Sequence, residues 1–323
     1  MFDRRSLLSL LAGGVFSSLA CNRDRTKKLV GVVPKGTNHI FWLTVKAGSL
    51  AAAREYDLEV AWNAPQLEID SSRQIAIVEN LITSDADGIV LAPVDADALV
   101  SVVERAAGRG IPVSIFDSGI NTDQIVSYVA TDNYEAGVMA ARRMGKILDG
   151  RGQVGVIGFM PGSASTMERE AGFVDTTGKE FPEIEIVGVQ FAMADRAKAL
   201  AESENLMTAH PNLRGLFADN ESSTDGAVRA VAQRGTAGKI KVVGFDASQE
   251  LVEQLKKGLL DSLIVQNPFK MGYESTKAVA QYLRGEEPAR HVDSGAYLIL
   301  KEDLDKPEVR QILFPDISRW LEG

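Results

Sequence analysis

The chain uses one strand, helix, strand unit twice, and that duplication restricts the fold more than any other feature. Ile111-Pro-Val-Ser-Ile-Phe-Asp117 and Ile240-Lys-Val-Val-Gly-Phe-Asp246 are short, β-rich runs that both stop on Phe-Asp. Each follows a helix-like stretch that itself follows an apolar run, Gly88-Ile-Val-Leu-Ala92 in the first copy and Gly215-Leu-Phe-Ala-Asp219 in the second. In parallel α/β sheets ligands gather outside the carboxyl ends of the strands, so a polar residue that stops a buried strand is placed to meet one. One such carboxylate per copy predicts two lobes facing a shared cleft. An Asp after a strand also serves as an ordinary helix cap, and it is the duplication that favours a site.

The same rhythm fills the chain from Leu29 onward. Strands are expected at 29–33, 58–62, 88–92, 111–117 and 125–130, with helices at 41–56, 71–83 and 96–107 between them. Ala47, Ala51 and Ala52 give the first helix a face for close packing. After a helix from Asp132 to Ile147 and a turn at Gly150-Arg-Gly-Gln153 the pattern starts again, with strands at 154–158, 184–191, 213–218, 240–246, 260–265 and 297–300. Helices from Ser163, at 194–209, 222–233 and 249–256, and from Asn267 to Leu283 separate them. Alternation of this kind is the signature of a doubly wound α/β sheet. A chain of 323 residues exceeds what one core usually serves. The expected organisation is an N-terminal lobe from 29–131 plus 267–295 and a C-terminal lobe from 132–266 plus 296–323. No low-complexity linker separates them, so the chain is expected to cross at ordinary turns, which makes a hinge.

Residues 1–28 read as an export segment. Asp3-Arg4-Arg5 precedes an apolar run from Ser6 to Phe16, too short to span a bilayer, which needs about 20 apolar residues. The run ends at Ser18-Leu-Ala-Cys21, which resembles the bacterial lipoprotein processing box, although the position of Leu also fits ordinary signal-peptidase cleavage. The resemblance implies lipidation of Cys21 and a polar tether from Asn22 to Lys28. Arg4-Arg5 also resembles a twin-arginine export signal.

The net charge of −9 argues against a nucleic-acid partner, whose phosphates need clustered Lys and Arg. Three histidines (His39, His210, His291) and one cysteine assemble no metal-ligand cluster, Cys–His pair or disulfide, and no cofactor is expected. The chain contains no G-x-S-x-G, H-E-x-x-H or C-x-x-C, and Gly155-Val-Ile-Gly158-Phe-Met-Pro-Gly162 is neither a dinucleotide fingerprint nor a P-loop. An enzyme is therefore not expected. The strand ends do offer hydrogen-bonding side chains beside aromatics: Asn38, His39, Phe41, Trp42, Asp117, Arg169, Asn220, Phe245, Asp246 and Gln266. A sugar needs that mixture, because its hydroxyls both donate and accept while its C–H faces lie on rings. Plainer roles fit the same residues. Phe41 and Trp42 open a helix and suit a core, Arg169 has Glu168 and Glu170 beside it, and Asn220 and Gln266 fit cap or turn positions.

Several stretches together decide the resemblance. Ala130-Thr-Asp-Asn133, Met167-Glu-Arg-Glu-Ala-Gly-Phe173, Leu206-Met-Thr-Ala-His-Pro211, Val242-Val-Gly-Phe-Asp246 and Val265-Gln266 resemble the periplasmic sugar-binding proteins of ABC importers, close to the ribose-binding branch, from Leu29 to about Glu302. The resemblance implies a type I periplasmic binding fold and a ligand held by Asp117, Arg169, Asn220, Phe245, Asp246 and Gln266, with rings at Phe41 and Trp42. It differs at Ser118, where ribose binders carry Arg, at Ala194, where they carry an aromatic, and at His39, where they carry Asn. Loss of the Arg removes charge-assisted hydrogen bonds of ~1.5–3 kcal/mol and predicts a roomier pocket for a hexose, a polyol or another small polar solute. The implied function is an exported, lipid-anchored, monomeric solute-binding protein that closes on a monosaccharide or polyol and delivers it to an ABC permease. Two alternatives share the fold: a sensor that reports to a kinase or chemoreceptor, and the effector domain of a LacI-type regulator. The segment from Asp303 to Gly323, with Pro307, Phe314, Pro315 and Trp320, is expected to pack along one lobe.

Overall fold

The structure, a computed structural model, describes residues 26–37 and 39–321. Asn38, the apolar N-terminal run and Cys21 lie outside the described residues. Two six-stranded sheets form the frame. The first runs in the order β11 (His291–Asp293), β5 (Ser127–Ala130), β4 (Val113–Phe116), β3 (Gly88–Leu91), β1 (Lys28–Val33), β2 (Leu58–Trp62), with every pair parallel. The second repeats that order with β12 (Ala296–Leu300), β10 (Ser262–Gln266), β9 (Lys241–Phe245), β8 (Leu213–Ala218), β6 (Arg151–Gly158) and β7 (Glu183–Phe191). Its one departure is β12, antiparallel to β10. The repeated unit read from the sequence is therefore the equivalent β3–β4 and β8–β9 segments of two lobes.

Helices cover both faces of each sheet. The first lobe carries α1 (Ile40–Tyr56), α2 (Ser71–Thr83), α3 (Val100–Gly108) and α9 (Pro268–Leu283). The second carries α4 (Asn133–Ile147), α5 (Ala164–Glu180), α6 (Arg196–Ala209), α7 (Glu221–Gln233) and α8 (Gln249–Lys257). Asp70, Asp132, Asp195, Asn220, Ser248 and Asn267 each accept a backbone N–H three residues on, which fixes where six of these helices begin. Each sheet separates two apolar clusters, one per face. Ile89, Leu91 and Ile115 lie opposite Val30, Val90 and Phe116 in the first lobe, and Leu216, Val242 and Leu263 lie opposite Phe217, Val243 and Phe245 in the second. A fifth cluster joins the lobes, with Val94 and Ile69 of the first meeting Phe159, Met160, Met193 and Ala194 of the second.

The chain passes between lobes after β5, after β10 and between β11 and β12. The first and third crossings are tied together: Thr131 Oγ1 lies 3.2 Å from Ser294 Oγ, and the Asp132 N–H donates to Asp293 Oδ1 at 3.3 Å.

Three readings differ from expectation. β6 starts at Arg151, inside the expected turn; its polar first residues are exposed or half-buried, so their pattern does not mark a strand. α3 starts at Val100 rather than Ala96, because Asp95 Oδ1 accepts the N–H groups of Asp97 and Ala98 and holds a turn there. The closing segment contacts both lobes rather than one. It comprises a 3₁₀ turn at Lys301–Asp303, α10 (Pro307–Leu313) on the second lobe and α11 (Ser318–Leu321) on the first.

Candidate functional site

Asp117 and Asp246 are the residues immediately after β4 and β9, and both adopt the left-handed conformation at φ 63. Each N–H donates to the neighbouring strand, Asp117 to Val129 O at 3.0 Å and Asp246 to Ile264 O at 2.8 Å. The backbone therefore stops the strand while still paired to the sheet, and the side chain leaves at the carboxyl edge. Both carboxylates line one cavity between the lobes.

The cavity also gathers His39, Phe41, Trp42, Arg169, Asn220 and Gln266 from the expected set. Two expected residues stand behind it. Phe245 is fully buried and supports Arg169, whose guanidinium lies 3.8 Å from the ring centre. Ser118 is buried as well, and its Oγ accepts the Ser165 N–H at 3.1 Å, a bond from the first lobe to the second.

Lys35, Glu68, Phe159, Ser165, Thr166 and Glu221 complete the wall and were not singled out from the sequence. Lys35 follows β1 at its carboxyl end, so the rule that located Asp117 also reaches it. Its ammonium lies 3.0 Å from Asp117 Oδ2, with side-chain exposures of only 5% and 6%. It also donates across the cleft to Ser163 Oγ at 3.2 Å and Ser165 Oγ at 3.3 Å. Lys35 thus brings to this wall a buried cation from a loop other than that of Ser118. Phe159, just after β6, adds a ring to the wall.

His39 precedes α1 and faces two carboxylates, Glu68 at 3.3 Å from Nε2 and Glu221 at 3.0 Å from Nδ1. Burial opposes its charge, but the hydrogen bond to Glu221 and the charges of Glu68 and Glu221 override it and raise its pKa to about 9. Glu221 opens α7 of the second lobe and also holds Arg196 at 2.8 Å, so His39 ties the lobes through an ionic network. Trp42 donates through Nε1 to Glu68 at 2.8 Å, which anchors the ring.

Arg169 is buried without a salt bridge to Glu168 or Glu170. It donates instead to Asn133 Oδ1 and to the Asp219 carbonyl, each at 2.8 Å. Asn220 caps α7 through Oδ1 and lines the cavity as well.

With this geometry in view, likeness to known proteins is informative. The family model described as periplasmic binding protein domain matches residues 30–287. A D-ribose/D-allose-binding protein of Pseudomonas aeruginosa is 31% identical over 275 residues, covering 83% of this chain and 86% of that protein. The chain belongs to the periplasmic binding protein family. A ribose import binding protein of Bacillus subtilis is 29% identical over 265 residues, covering 82% of this chain and 85% of its own length. Among solved structures, an ABC transporter solute-binding protein of Agrobacterium vitis with bound D-fucose superposes with a TM-score of 0.86 at 32% identity, covering 88% of this chain and 100% of that one. Another from the same organism, bound with α-D-tagatopyranose, gives 0.86 at 30% identity, covering 89% and 99%.

Within this periplasmic binding protein the polar groups of the cavity divide unequally. Lys35 and His39 spend their donors on protein acceptors. Acceptors, by contrast, are in surplus. Gln266 donates through Nε2 to Asp246 Oδ1 at 2.7 Å while its own Oε1 is buried with no partner. Burial pushes the Asp246 carboxyl above its ordinary pKa, Arg169 and Gln266 pull it back, and Asp117 and Glu221 push it up again. A hydroxyl donor from a ligand satisfies both groups.

Proposed function

We propose that this chain is the extracytoplasmic solute-binding component of an ABC importer, closing on one neutral sugar or polyol and delivering it to a membrane permease. The observation that carries the ligand class is the acceptor surplus: Asp117, Asp246 and Gln266 face a cavity whose Lys35 and His39 are already engaged by protein oxygens. A phosphorylated or acidic sugar finds only the Arg169 guanidinium, two of whose nitrogens already donate to Asn133 Oδ1 and the Asp219 carbonyl, whereas a ring of hydroxyls finds that donor and several acceptors. Phe41, Trp42 and Phe159 offer faces for its C–H groups. The names of the relatives support the same reading, since they describe proteins that bind or import ribose and allose, or that hold D-fucose and D-tagatose.

The mechanism is closure. Asp117 stands on one lobe and Arg169, Asn220 and Asp246 on the other, so a ligand touches all four only when the lobes meet, and binding shifts the population towards the closed form. The chain acts as a carrier and not as an enzyme, and as a monomer. Ser118 and Phe245 support the site rather than supply its wall. Export by the N-terminal run and lipidation at Cys21 place the protein at the outer face of a membrane.

A thermal-shift screen against D-ribose, D-allose, D-fucose, D-tagatose, polyols and D-ribose 5-phosphate tests the ligand class. A shift of several degrees with a neutral sugar and none with the phosphate is expected. A preference for the phosphate would overturn it. Mass spectrometry of the membrane fraction tests the anchor, with Cys21→Ala expected to release the protein.

A further inference from the structure

Residues 301–321 lie beyond the 30–287 stretch that the family model covers, and they grip both lobes. Leu304, with Val309 and Leu313 of α10, is buried in the second lobe's core beside Leu255, Leu263 and Ile299. α11 then reaches the first lobe. Arg54, near the end of α1, donates to Arg319 O at 3.0 Å and Trp320 O at 3.5 Å. Its guanidinium lies 5.2 Å from the Trp320 ring centre, and that ring sits 6.4 Å from Phe269 of α9.

Between these two anchors the segment passes over the hinge. Val309, Ile312 and Pro315 share a groove with Gln266–Phe269 and Ala296–Ile299, the chain on either side of two crossings. Ile312, Leu313 and Pro315 also enclose a small space whose opposite wall is Phe41, Asp246 and Gln266. Those three residues line the interlobe cavity on their other side.

We infer that residues 301–321 form a strap that holds the lobes in their closed arrangement and backs Phe41, Asp246 and Gln266 against the ligand. The covalent crossings permit rotation. A fourth link, anchored on both rigid bodies, resists it. Opening must either pull α10 out of an apolar core or undo the Arg54–Trp320 clasp, and the clasp, made at exposed Arg54, is the point that yields. Because the strap and the ligand favour the same arrangement, the strap raises ligand affinity by depleting the open form. The affinity effect rests on the proposed sugar-binding function, and the shape effect does not.

The test compares full-length protein with a deletion of residues 314–323 and with Arg54→Met, which removes the clasp and leaves both cores intact. Small-angle X-ray scattering without any sugar is expected to give a larger radius of gyration for both variants. Calorimetry with D-ribose, D-allose, D-fucose and D-tagatose is expected to show roughly three- to ten-fold weaker binding of whichever sugar the full-length protein takes. Unchanged radii in the two variants would overturn the strap. If none of the sugars binds the full-length protein, the functional proposal fails while the scattering comparison still decides the strap. If the deletion variant does not fold, Arg54→Met decides alone.

Discussion

Asp117 and Asp246 occupy equivalent places in the two lobes, with the same φ of 63 and the same N–H bond to the next strand, yet their side chains live in different surroundings. Asp117 faces an ammonium at 3.0 Å, both partners almost sealed from solvent. Asp246 faces the neutral amide of Gln266 at 2.7 Å. The difference comes from the loops. After β1 the chain continues Pro34-Lys35, and after the equivalent β6 it continues Phe159-Met160. The duplicated backbone places two carboxylates, and each lobe's own loops decide what answers them. One carboxylate is thereby paired with a buried cation and the other with a neutral amide.

The largest expected effect separates the two. Asp117→Ala strands the Lys35 ammonium in a sealed site, and loss of one partner of a buried pair costs about 3–5 kcal/mol. Denaturant unfolding is expected to show that loss for Asp117→Ala and little change for Asp246→Ala, whose carboxyl is already disfavoured by burial. Adding Lys35→Met to Asp117→Ala is expected to restore much of the stability. Equal losses in the two single variants would end the distinction between the twins.

Next in size is the ionic tie between the lobes. The pKa of His39 is raised from 6.5 to about 9, so its contribution is complete below the unfolded value near 6.5 and disappears as pH climbs through about 9. The preference for the charged form amounts to roughly 3 kcal/mol. The Glu221 carboxyl is shifted the other way: burial opposes its charge, but His39 and Arg196 hold it below its ordinary pKa. Its share is present above the ordinary Glu pKa and is lost in acid. Tm measured from pH 7 to 10 is expected to fall through pH 9 in the wild-type protein, and His39→Gln is expected to flatten that slope. Parallel slopes would place the titrating group elsewhere.

A smaller effect sharpens the ligand side. Gln266→Leu removes one hydrogen bond to Asp246 and one unpartnered acceptor, and is expected to weaken sugar binding by about 1 kcal/mol with little change in Tm. On the surface, Arg142→Ala breaks an exposed pair with Glu180 and is expected to leave both Tm and sugar affinity unchanged.

The two-lobe α/β fold was legible because it rests on period and punctuation. Apolar runs, caps such as Asp132 and Asn267, and the repeated Phe-Asp stops all carry local signals. The twin aspartates were legible for the same reason, as were Arg169 and Gln266 through their resemblance to a family. Lys35 follows Pro34, a position with no distinctive pattern, and its meaning appears only when Ser163 and Ser165 come across the cleft to meet it. Glu68 and Glu221 sit in different lobes and become partners only through His39. Ser118 and Phe245 were placed in the right region but turned inward, because sequence locates a residue along a strand end without saying which side of the wall it takes. The segment after Asp303 hides its second anchor for a related reason: Arg54 lies far from Trp320 in sequence, and no periodicity links them.

The proposed hydrogen bond from a ligand hydroxyl to Asp246 is tested most directly by calorimetric titration of Asp246→Ala with the sugar that stabilises the wild-type protein. Affinity is expected to drop by more than ~2 kcal/mol, because the hydroxyl that met the carboxylate is left buried and unpaired, while Tm without sugar stays near the wild-type value. Wild-type affinity in that variant would contradict the claim.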